Sequence, residues 1–334
     1  MSRLKLGVIG AGVWGRNHVR TAAGLADAEL AAVCDTREQV RQTVARQYPA
    51  TFVTDDADAL LQRVDAVIIA SPAKTHAEFA QRAIAAGKPC LVEKPFALRV
   101  ADAEAVARAA DAGNVPVLVG HLLVFHPAVE ALRALVAAGE LGRVLYMYGL
   151  RVNLGQVRAD ENALWSFGPH DVSVALHLLG EAPVRVTAQG SSYLQPGVED
   201  VVFLHMEFAS GTMAHVQLSW LDPHKERKLT VVGDRKMVVF DDMEPREKLR
   251  IYDKGVTRPP DYASWGESLA IREGDIFIPK IPNVEPLGAE LAHFVRVARR
   301  TEAPRAGAAD GVRVVRVLEA ATRSLASGGT PITL

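Results

Sequence analysis

The sequence has few cysteines, few aromatic residues and no excess of charge of either sign. Two of its 334 residues are cysteine, and Lys plus Arg (38) nearly cancels Asp plus Glu (39). This composition excludes a disulfide-rich secreted scaffold, and without a basic stripe we expect neither nucleic acid nor a membrane surface as a partner. Cys34 and Cys90 lie in apolar segments, which predicts buried free thiols and a reducing, cytoplasmic location.

Long apolar runs and metal-ligand patterns are also absent. No run approaches the roughly 20 residues that a membrane helix needs, and no apolar stretch of signal-peptide length precedes Gly10. The histidines form no H-x-x-x-H pair and the cysteines no C-x-x-C pair, so we expect no metal ion. With 49% hydrophobic and 23% charged residues, the chain has a globular composition, and its length favours two domains.

Residues 1–120 alternate short apolar runs with alanine-rich stretches, as parallel βαβ units do. The runs that predict strands are Leu6–Ile9, Leu30–Cys34, Ala66–Ala70, Cys90–Val92 and Val115–Val119. Their unbroken apolar character indicates strands that are covered on both faces. We therefore predict an N-terminal α/β domain with a doubly wound parallel sheet.

Residues 121–334 predict a second domain of the α+β class, with a large, mostly antiparallel sheet and one open face. Strands are expected at Arg143–Asn153, Val184–Ser191, Asp200–Ala209, Thr212–Trp220, Arg227–Val232, Arg235–Asp241 and Lys248–Tyr252. Helices are expected at Pro127–Ala138, Pro169–Leu179, Leu287–Arg300 and Ala309–Ala326, and an irregular connection at Asp253–Val284. We assign substrate binding and oligomerisation to this domain, whose C-terminal helices can pack back on the first.

A glycine-rich turn directly follows the first predicted strand. Its sequence, Gly10-Ala11-Gly12-Val13-Trp14-Gly15, satisfies G-x-G-x-x-G and leads into a helical segment. In this context Gly10 permits a tight turn, Gly12 admits a pyrophosphate close to the backbone, and Gly15 allows helix and strand to pack closely. The motif therefore predicts a Rossmann dinucleotide site with Val13 and Trp14 in the turn.

An acidic residue stands at the end of the second strand. Asp35 lies 20 residues after Gly15, where a carboxylate accepts hydrogen bonds from the adenosine ribose and repels a 2′-phosphate. We therefore expect NAD as cofactor, with Thr36 and Arg37 beside it. Arg37 leaves NADP open as a second option.

Two further strand ends face the same edge of the predicted sheet. Ser71, Pro72 and His76 follow the strand Ala66–Ala70, and we expect them to line the nicotinamide half of the site; a plain strand-to-helix turn is the alternative. Glu93-Lys94-Pro95 follows the strand Cys90–Val92. Lys94 can polarise a substrate hydroxyl or take its proton. Its alternatives are a surface lysine and a structural ion pair with Glu93.

His170 is the second candidate catalytic residue. Pro169 suits a first helical position, which places His170 in the first turn, where the helix dipole favours a neutral imidazole base. A packing or capping histidine is the alternative, and Asp171 is expected to support the helix N-terminus or to hold His170. Around them lie polar candidates for binding a sugar or a diphosphate: Arg151, Asn153, Arg158, Glu161, Asn162 and Ser166, with Arg99 as a further diphosphate contact.

Histidines also mark the junction of the two predicted domains. His121 and the run Phe125-His126-Pro127 lie there. We interpret them as hinge or substrate-wall residues first and as catalytic groups second.

These motifs, in this order, resemble the glucose-fructose oxidoreductase, inositol dehydrogenase and rhizopine-catabolism (Gfo/Idh/MocA) family. The resemblance covers essentially the whole chain, and Glu93-Lys94-Pro95 is its most telling part. It implies a Rossmann domain that binds NAD(P), an open-faced α/β domain, and homodimers or homotetramers formed through that face. It also implies that Lys94 and His170 flank the reacting carbon.

The chain departs from the family at one position. Many members carry Asp four residues before the histidine, where this sequence has Ser166. A hydroxyl cannot supply a carboxylate's charge, so the base role shifts toward His170. Members that act on nucleotide-activated amino sugars also lack this Asp, so the segment from Asn153 to His170 is similar to theirs. This implies oxidation of a C3 hydroxyl, as in UDP-N-acetylglucosamine, to a keto sugar.

Two other functions stay open. One is the NAD-dependent oxidation of a free sugar, polyol or inositol. The other is a non-catalytic NAD-binding regulator, against which the presence of both Lys94 and His170 argues.

Overall fold

The computed structural model describes residues 2–155, 157–158, 161–257 and 270–334. The chain divides into two compact units, one formed by Met1–Phe125 and Val284–Arg316 and the other by His126–Asn283 and Val317–Leu334. The assignment of cofactor binding to residues 1–120 and of substrate binding to residues 121–334 stays a prediction.

The first unit contains a six-stranded parallel sheet of order β3-β2-β1-β4-β5-β6. Its strands are β1 (Leu4–Ile9), β2 (Ala28–Cys34), β3 (Phe52–Thr54), β4 (Ala66–Ile69), β5 (Cys90–Glu93) and β6 (Val117–Gly120). Chain order reverses on either side of β1 and β4, which is where doubly wound sheets bind ligands. All five predicted strands are present. The three-residue β3 was not predicted, because Phe52 and Val53 are its only apolar residues and do not form an apolar run like those of the other strands.

Helices cover both faces of parallel sheets of this kind because the crossover connections run over them. Those of the first unit are α1 (Gly15–Gly24), α2 (Glu38–Gln47), α3 (Ala57–Leu61), α4 (His76–Ala85), α5 (Val100–Gly113), α8 (Pro286–Ala298) and the start of α9 (Ala308–Ala326), with short 3-10 turns η1 (Ala73–Thr75) and η2 (Leu122–Phe125). Leu291 and Phe294 of α8 are fully buried in the same core as Leu6, Ile68 and Leu118. Cys34 and Cys90 are buried and free, as predicted.

The second unit contains a nine-stranded sheet of order β14-β13-β12-β11-β7-β10-β9-β8-β15. Its strands are β7 (Val144–Val152), β8 (Pro183–Ser191), β9 (Val201–Phe208), β10 (Met213–Ser219), β11 (Glu226–Gly233), β12 (Met237–Asp241), β13 (Leu249–Thr257), β14 (Ala270–Phe277) and β15 (Ile332–Thr333). Neighbouring strands pair antiparallel except β7 and β10, which are parallel. The mostly antiparallel sheet is thus confirmed.

The helices of this unit include α6 (Pro127–Ala137), α7 (Ala163–Leu179) and the rest of α9. On β7, Met147 and Gly149 are buried while Tyr146 and Tyr148 between them are exposed. The period of two shows that one face of the sheet packs on the core and the other is open. Among the described residues no helix is long and apolar enough to cross a membrane.

Two predictions about local structure are wrong. Helix α7 begins at Ala163 with Asn162 as its N-cap, so Pro169 lies inside the helix and His170 is not in its first turn. The segment Asp253–Val284 is not irregular throughout, since β13 runs on to Thr257 and β14 follows. Residues 258–269 of that segment lie outside the described residues.

Candidate active site

The glycine turn has the geometry that a dinucleotide requires. Gly10 has φ +88°, and a Cβ there would lie 2.6 Å from the Ser71 backbone nitrogen. A Cβ on Gly15 would collide with the Gly10 carbonyl, so both positions require glycine. At Gly12 a Cβ would meet only the Arg37 side chain, which leaves the backbone open to a pyrophosphate. No side chain caps the first turn of α1, whose N–H groups favour an anion.

The exposure of the remaining turn residues agrees with this assignment. Val13 is 78% exposed and Trp14 43% exposed, an unusual position for large apolar side chains in a folded turn. Exposed apolar groups beside a glycine turn offer a surface on which a cofactor can pack.

Asp35 is buried directly after β2 and accepts four hydrogen bonds. The amides of Ala11 and Arg37 donate to its two oxygens at 2.9 Å, and the Arg37 guanidinium donates at 3.0 and 2.9 Å. Burial opposes ionisation, but the hydrogen bonds from Arg37 and Ala11 outweigh it and lower the pKa of Asp35. The exposed Thr36 contributes its carbonyl oxygen, which accepts a hydrogen bond from Arg41 at 2.8 Å.

Glu93, the last residue of β5, is buried beneath this turn. Its carboxylate accepts hydrogen bonds from Trp14 Nε1 at 2.5 Å, His18 Nε2 at 2.7 Å and the Lys94 amide at 3.0 Å. Burial opposes ionisation, but His18, Trp14 and Lys94 together lower the pKa of Glu93. Glu93 thus interacts with the side chains of His18 and Trp14 as well as with the charge of Lys94.

Lys94 follows β5 at the carboxyl edge of the sheet and is half-buried. Its neighbour Pro95 contributes a carbonyl oxygen 2.7 Å from His76 Nδ1, while His76 Nε2 lies 2.8 Å from the Ser71 carbonyl oxygen. His76 therefore ties the turn after β4 to the turn after β5. Burial lowers the pKa of His76, and the contacts with the Pro95 and Ser71 carbonyl oxygens oppose that shift. Pro72 precedes η1 in the first of these turns.

His121 directly follows β6 at the same edge. It is 1% exposed, and neither ring nitrogen has a hydrogen-bond partner among the described residues. Burial lowers its pKa to about 4, with the charges of Asp310, Glu93 and Lys94 as smaller influences. His126 caps α6 by accepting a hydrogen bond from the Ala128 amide at 3.1 Å.

In the second unit, His170 lies in the middle of α7 and is half-buried. The helix dipole therefore does not act on the His170 imidazole as predicted, because its effect is confined to the first turn. Ser166 precedes His170 by one helical turn and shares its face, with the Ser166 side chain buried. Asn162 caps the helix through a hydrogen bond from the Trp165 amide at 3.1 Å.

Arg151 and Asp171 form a buried ion pair. Arg151 Nε lies 2.5 Å from Asp171 Oδ2, and both side chains are less than a tenth exposed. Asp171 therefore binds α7 to β7, and it does not support the helix N-terminus, which Asn162 caps. Its pairing also commits the Arg151 guanidinium to a neighbour within the fold.

The other predicted substrate residues are more accessible. Arg158 is 47% exposed at its side chain and pairs with Glu161 at 2.8 Å. Asn153 is half-buried after β7, and its backbone N–H donates to the Ser219 carbonyl oxygen at 3.0 Å. Arg99, in the first unit, pairs with Asp102 at 3.0 Å. Among the described residues, no group of three or more His, Cys, Asp or Glu side chains is arranged to hold a metal ion.

No motif in the sequence singles out His18 or Glu290. Each is fully buried, His18 on α1 and Glu290 on α8. His18 does stand three residues after Gly15, which puts it on the first turn of the helix that follows the glycine motif. Only the fold shows that it reaches Glu93, which is 75 residues away in the chain.

A glycine turn, a buried carboxylate after β2 and the Lys94 turn at one carboxyl edge of the sheet are typical of an NAD-dependent dehydrogenase. The family described as "Oxidoreductase family, NAD-binding Rossmann fold" matches residues 4–121, and the C-terminal domain of the same family matches residues 129–239. The chain belongs to this family, Gfo/Idh/MocA.

Three relatives show the range of the family. The chain is 33% identical to inositol 2-dehydrogenase 2 of Saccharopolyspora erythraea, over 64% of this chain and 66% of that protein. It is 30% identical to UDP-N-acetylglucosamine 3-dehydrogenase of Acidithiobacillus ferrooxidans over 96% of each chain. GenD2 from gentamicin A biosynthesis, solved with NAD, has a TM-score of 0.83 at 27% identity and covers 100% of this chain and 97% of its own. The chain is thus a dehydrogenase of a sugar and polyol family.

Proposed function

We propose that the chain oxidises the C3 hydroxyl of a nucleotide-activated amino sugar, of the type of UDP-N-acetylglucosamine, to a 3-keto sugar. The observation that carries this proposal is the match to the UDP-N-acetylglucosamine 3-dehydrogenase, which extends over 96% of both chains. The inositol 2-dehydrogenase of Saccharopolyspora erythraea is more similar in identity but matches only 64% of this chain. Ser166, in place of the Asp that the family resemblance leads one to expect, supports the same substrate class.

Lys94 and His170 have the proposed catalytic roles. Lys94 donates to the substrate hydroxyl oxygen and stabilises the alkoxide that develops there. His170 accepts the hydroxyl proton, and the hydrogen on the same carbon leaves as hydride. When bound, NAD supplies the acceptor for that hydride. The hydroxyl proton thus goes to His170, and the electron pair leaves the sugar with the hydride.

Accessible polar groups of the second unit are the proposed substrate contacts. Arg158 is half-exposed and suits a diphosphate, because its guanidinium retains donors beyond the pair with Glu161. Asn153 and Ser166 can bind sugar hydroxyls. Arg151 is the weakest of the predicted contacts, since its guanidinium already pairs with a buried carboxylate.

A second copy of the chain is the proposed occupant of the open sheet face. Tyr146, Tyr148, Phe203 and Met213 expose between 42% and 47% of their surface there, on three adjacent strands. Aromatic and methionine side chains are enriched in protein interfaces. Light scattering after size exclusion should show a dimer or tetramer for the wild type and a smaller species for Tyr148→Asp, whereas a wild-type monomer contradicts this assignment.

A substrate panel tests the proposed function directly. Formation of NADH would be followed by absorbance with UDP-N-acetylglucosamine, UDP-glucose, free N-acetylglucosamine and myo-inositol. The proposal expects the first compound to give the highest kcat/KM. Highest turnover of myo-inositol would instead support the second candidate, which the Saccharopolyspora erythraea relative favours. NAD binding without turnover of any compound would support a regulator.

A further inference from the structure

One buried carboxylate joins the glycine turn to the turn that carries Lys94. Glu93 accepts two side-chain hydrogen bonds at its Oε1 atom, from Trp14 Nε1 at 2.5 Å and from His18 Nε2 at 2.7 Å. Its Oε2 atom accepts the Lys94 amide at 3.0 Å. Trp14 belongs to the glycine turn and His18 to α1, so three separate parts of the site meet at one side chain.

Gly120, at the end of β6, leaves room for the Glu93 carboxylate. A Cβ on Gly120, the last residue of β6, would lie 3.2 Å from the Glu93 carboxyl carbon and 3.2 Å from its Cα atom. Any larger residue at position 120 would therefore press on Glu93. The carboxyl group is thus enclosed on the side of β6 as well as by its three donors.

The donors determine the charge of the group. An indole N–H and a backbone amide can only donate, so Glu93 is an acceptor to both. His18 Nε2 must then also carry a hydrogen to contact the same oxygen, while its Nδ1 is buried with no partner among the described residues. If Glu93 is ionised, its carboxylate accepts a hydrogen bond from each of the three donors. Only His18 Nδ1 is then left without a partner among the described residues.

A second buried carboxyl group, that of Glu290, bears on which of the two carboxyls is ionised. Glu290 is fully buried, and neither of its oxygens has a hydrogen-bond partner among the described residues. Burial, and after it the charge of Glu93, raise the pKa of Glu290 well above its ordinary value. Two neighbouring buried carboxyls do not both ionise. Glu93, which has the donors, carries the charge, and Glu290 stays protonated.

We propose that His18 and Trp14 are positioning residues, which act through Glu93 to hold Lys94 and the glycine turn in their working geometry. The part that concerns Lys94 rests on the proposed function. Neither residue needs to contact substrate. Removing the His18 donor leaves a buried carboxylate with fewer hydrogen bonds than it needs, so its orientation is lost and, with it, that of the Lys94 backbone.

The test compares four variants, three of them at two positions of one face of α1 and the fourth at Trp14. His18→Leu removes the donor, and His18→Gln restores an N–H near the place of Nε2. Thr21→Val is the matched control, because Thr21 is buried one turn further along α1 and its hydroxyl has no partner among the described residues. Trp14→Phe, at a 43% exposed position, keeps an aromatic ring but removes the indole N–H, and it remains informative if His18→Leu does not fold.

Two readouts separate this proposal from the proposed function. The first is the Trp14 indole N–H resonance in protein labelled with 15N-tryptophan, assigned by its loss in Trp14→Phe. It needs no substrate. The second is kcat with the best substrate of the panel, together with the KM for that substrate.

We expect His18→Leu to move the Trp14 indole resonance. It should also lower kcat by roughly tenfold or more, the effect of losing one hydrogen bond to a charged group. The KM for the substrate should change less than kcat. His18→Gln should recover most of both, and Thr21→Val should match the wild type. Trp14→Phe should lower kcat in the same direction. An unchanged indole resonance in His18→Leu, or a Gln variant no better than Leu, overturns the proposal. A moved resonance in a protein that turns over no sugar leaves the positioning role intact and contradicts the proposed function alone.

Discussion

Arg37 holds the Asp35 carboxylate at two points, with Nε 3.0 Å from Oδ1 and Nη2 2.9 Å from Oδ2. The same Nη2 atom would lie 3.1 Å from a Cβ placed on Gly12. The guanidinium is therefore kept beside the glycine turn by the carboxylate that binds it. Asp35, which favours NAD, and Arg37, which leaves NADP open, thus form one hydrogen-bonded pair.

Asp35→Ser should shift cofactor preference toward NADP. The substitution removes the charge that repels a 2′-phosphate and releases the Arg37 guanidinium to bind one. We expect the ratio of kcat/KM for NADP to that for NAD to rise by roughly tenfold to a hundredfold, the effect of one hydrogen bond to a charged group. Steady-state kinetics with each cofactor measure it.

The double variant Asp35→Ser with Arg37→Gln is the control for that change. It should lose most of the gain with NADP, because the cation is gone. An equal preference in single and double variants would show that Arg37 does not read the phosphate.

Lys94→Ala and His170→Ala should each lower kcat by about a hundredfold or more, as expected when a group that assists proton transfer is lost. The dissociation constant for NAD, measured by calorimetry, should change little in His170→Ala, because His170 belongs to the second unit. Near-normal turnover in both variants would remove these two residues from the chemistry.

Removing one member of the Arg151–Asp171 pair should destabilise the protein. Each side chain is less than a tenth exposed, so Arg151→Met leaves the Asp171 charge buried without its partner. The expected loss in the free energy of unfolding is about 3–5 kcal/mol, measured by urea denaturation. Arg151→Met with Asp171→Leu should recover much of it.

The same variants decide whether Arg151 also binds substrate. If its role is structural, the double variant keeps the wild-type KM for the sugar nucleotide. A large rise in KM in the stable double variant would restore Arg151 as a substrate contact.

The stability of the protein should depend on the titration of Glu290. Its pKa is raised in the folded state, so its contribution is fully present below the ordinary pKa of 4.5 and is lost as the pH rises through the higher folded value. Glu290→Met removes this titration. The variant should therefore gain stability relative to the wild type as the pH is raised from about 5 to about 8, measured by thermal unfolding at each pH.

The exposed Glu38→Met on α2 is the matched control for that series. It should keep a constant difference from the wild type across the same pH range. A parallel course for Glu290→Met would mean that Glu290 is ionised in the folded protein.

Local patterns in the sequence predicted the strand ends that position the cofactor residues. Apolar runs of three to five residues mark buried parallel strands, and the spacing of its glycines is enough to recognise the glycine motif. Asp35, Ser71 and Lys94 could therefore be placed at one edge of the sheet without coordinates. The open face of the second sheet follows in the same way from the alternation seen at Tyr146 and Tyr148.

The start of α7 could not be predicted in that way. Proline is frequent at the first position of a helix, so the local sequence favours a start at Pro169. The true start depends on Asn162, whose side chain caps the helix and also donates to Glu199 at 2.6 Å. That contact spans 37 residues, and the hydrogen bond from the Ala163 amide to the Glu199 carbonyl oxygen spans 36. Tertiary contacts of this kind leave no periodic signal.

The ion-pair and hydrogen-bond partners of the charged residues could not be predicted from the sequence either. Arg151 and Asp171 are 20 residues apart, and His18 and Glu93 are 75 apart. Sequence can show that such residues are chemically able to pair, but only the packing of strands and helices selects which pairs form.

Transfer of deuterium from substrate to cofactor tests the central claim most directly. The wild-type protein in excess would be mixed with NAD and UDP-N-acetylglucosamine deuterated at C3, and the reduced cofactor analysed by mass spectrometry. The account predicts that the NADH formed carries the deuterium, because the hydride leaves from C3. Unlabelled NADH, or none at all while myo-inositol deuterated at its ring carbons labels the cofactor, would contradict it.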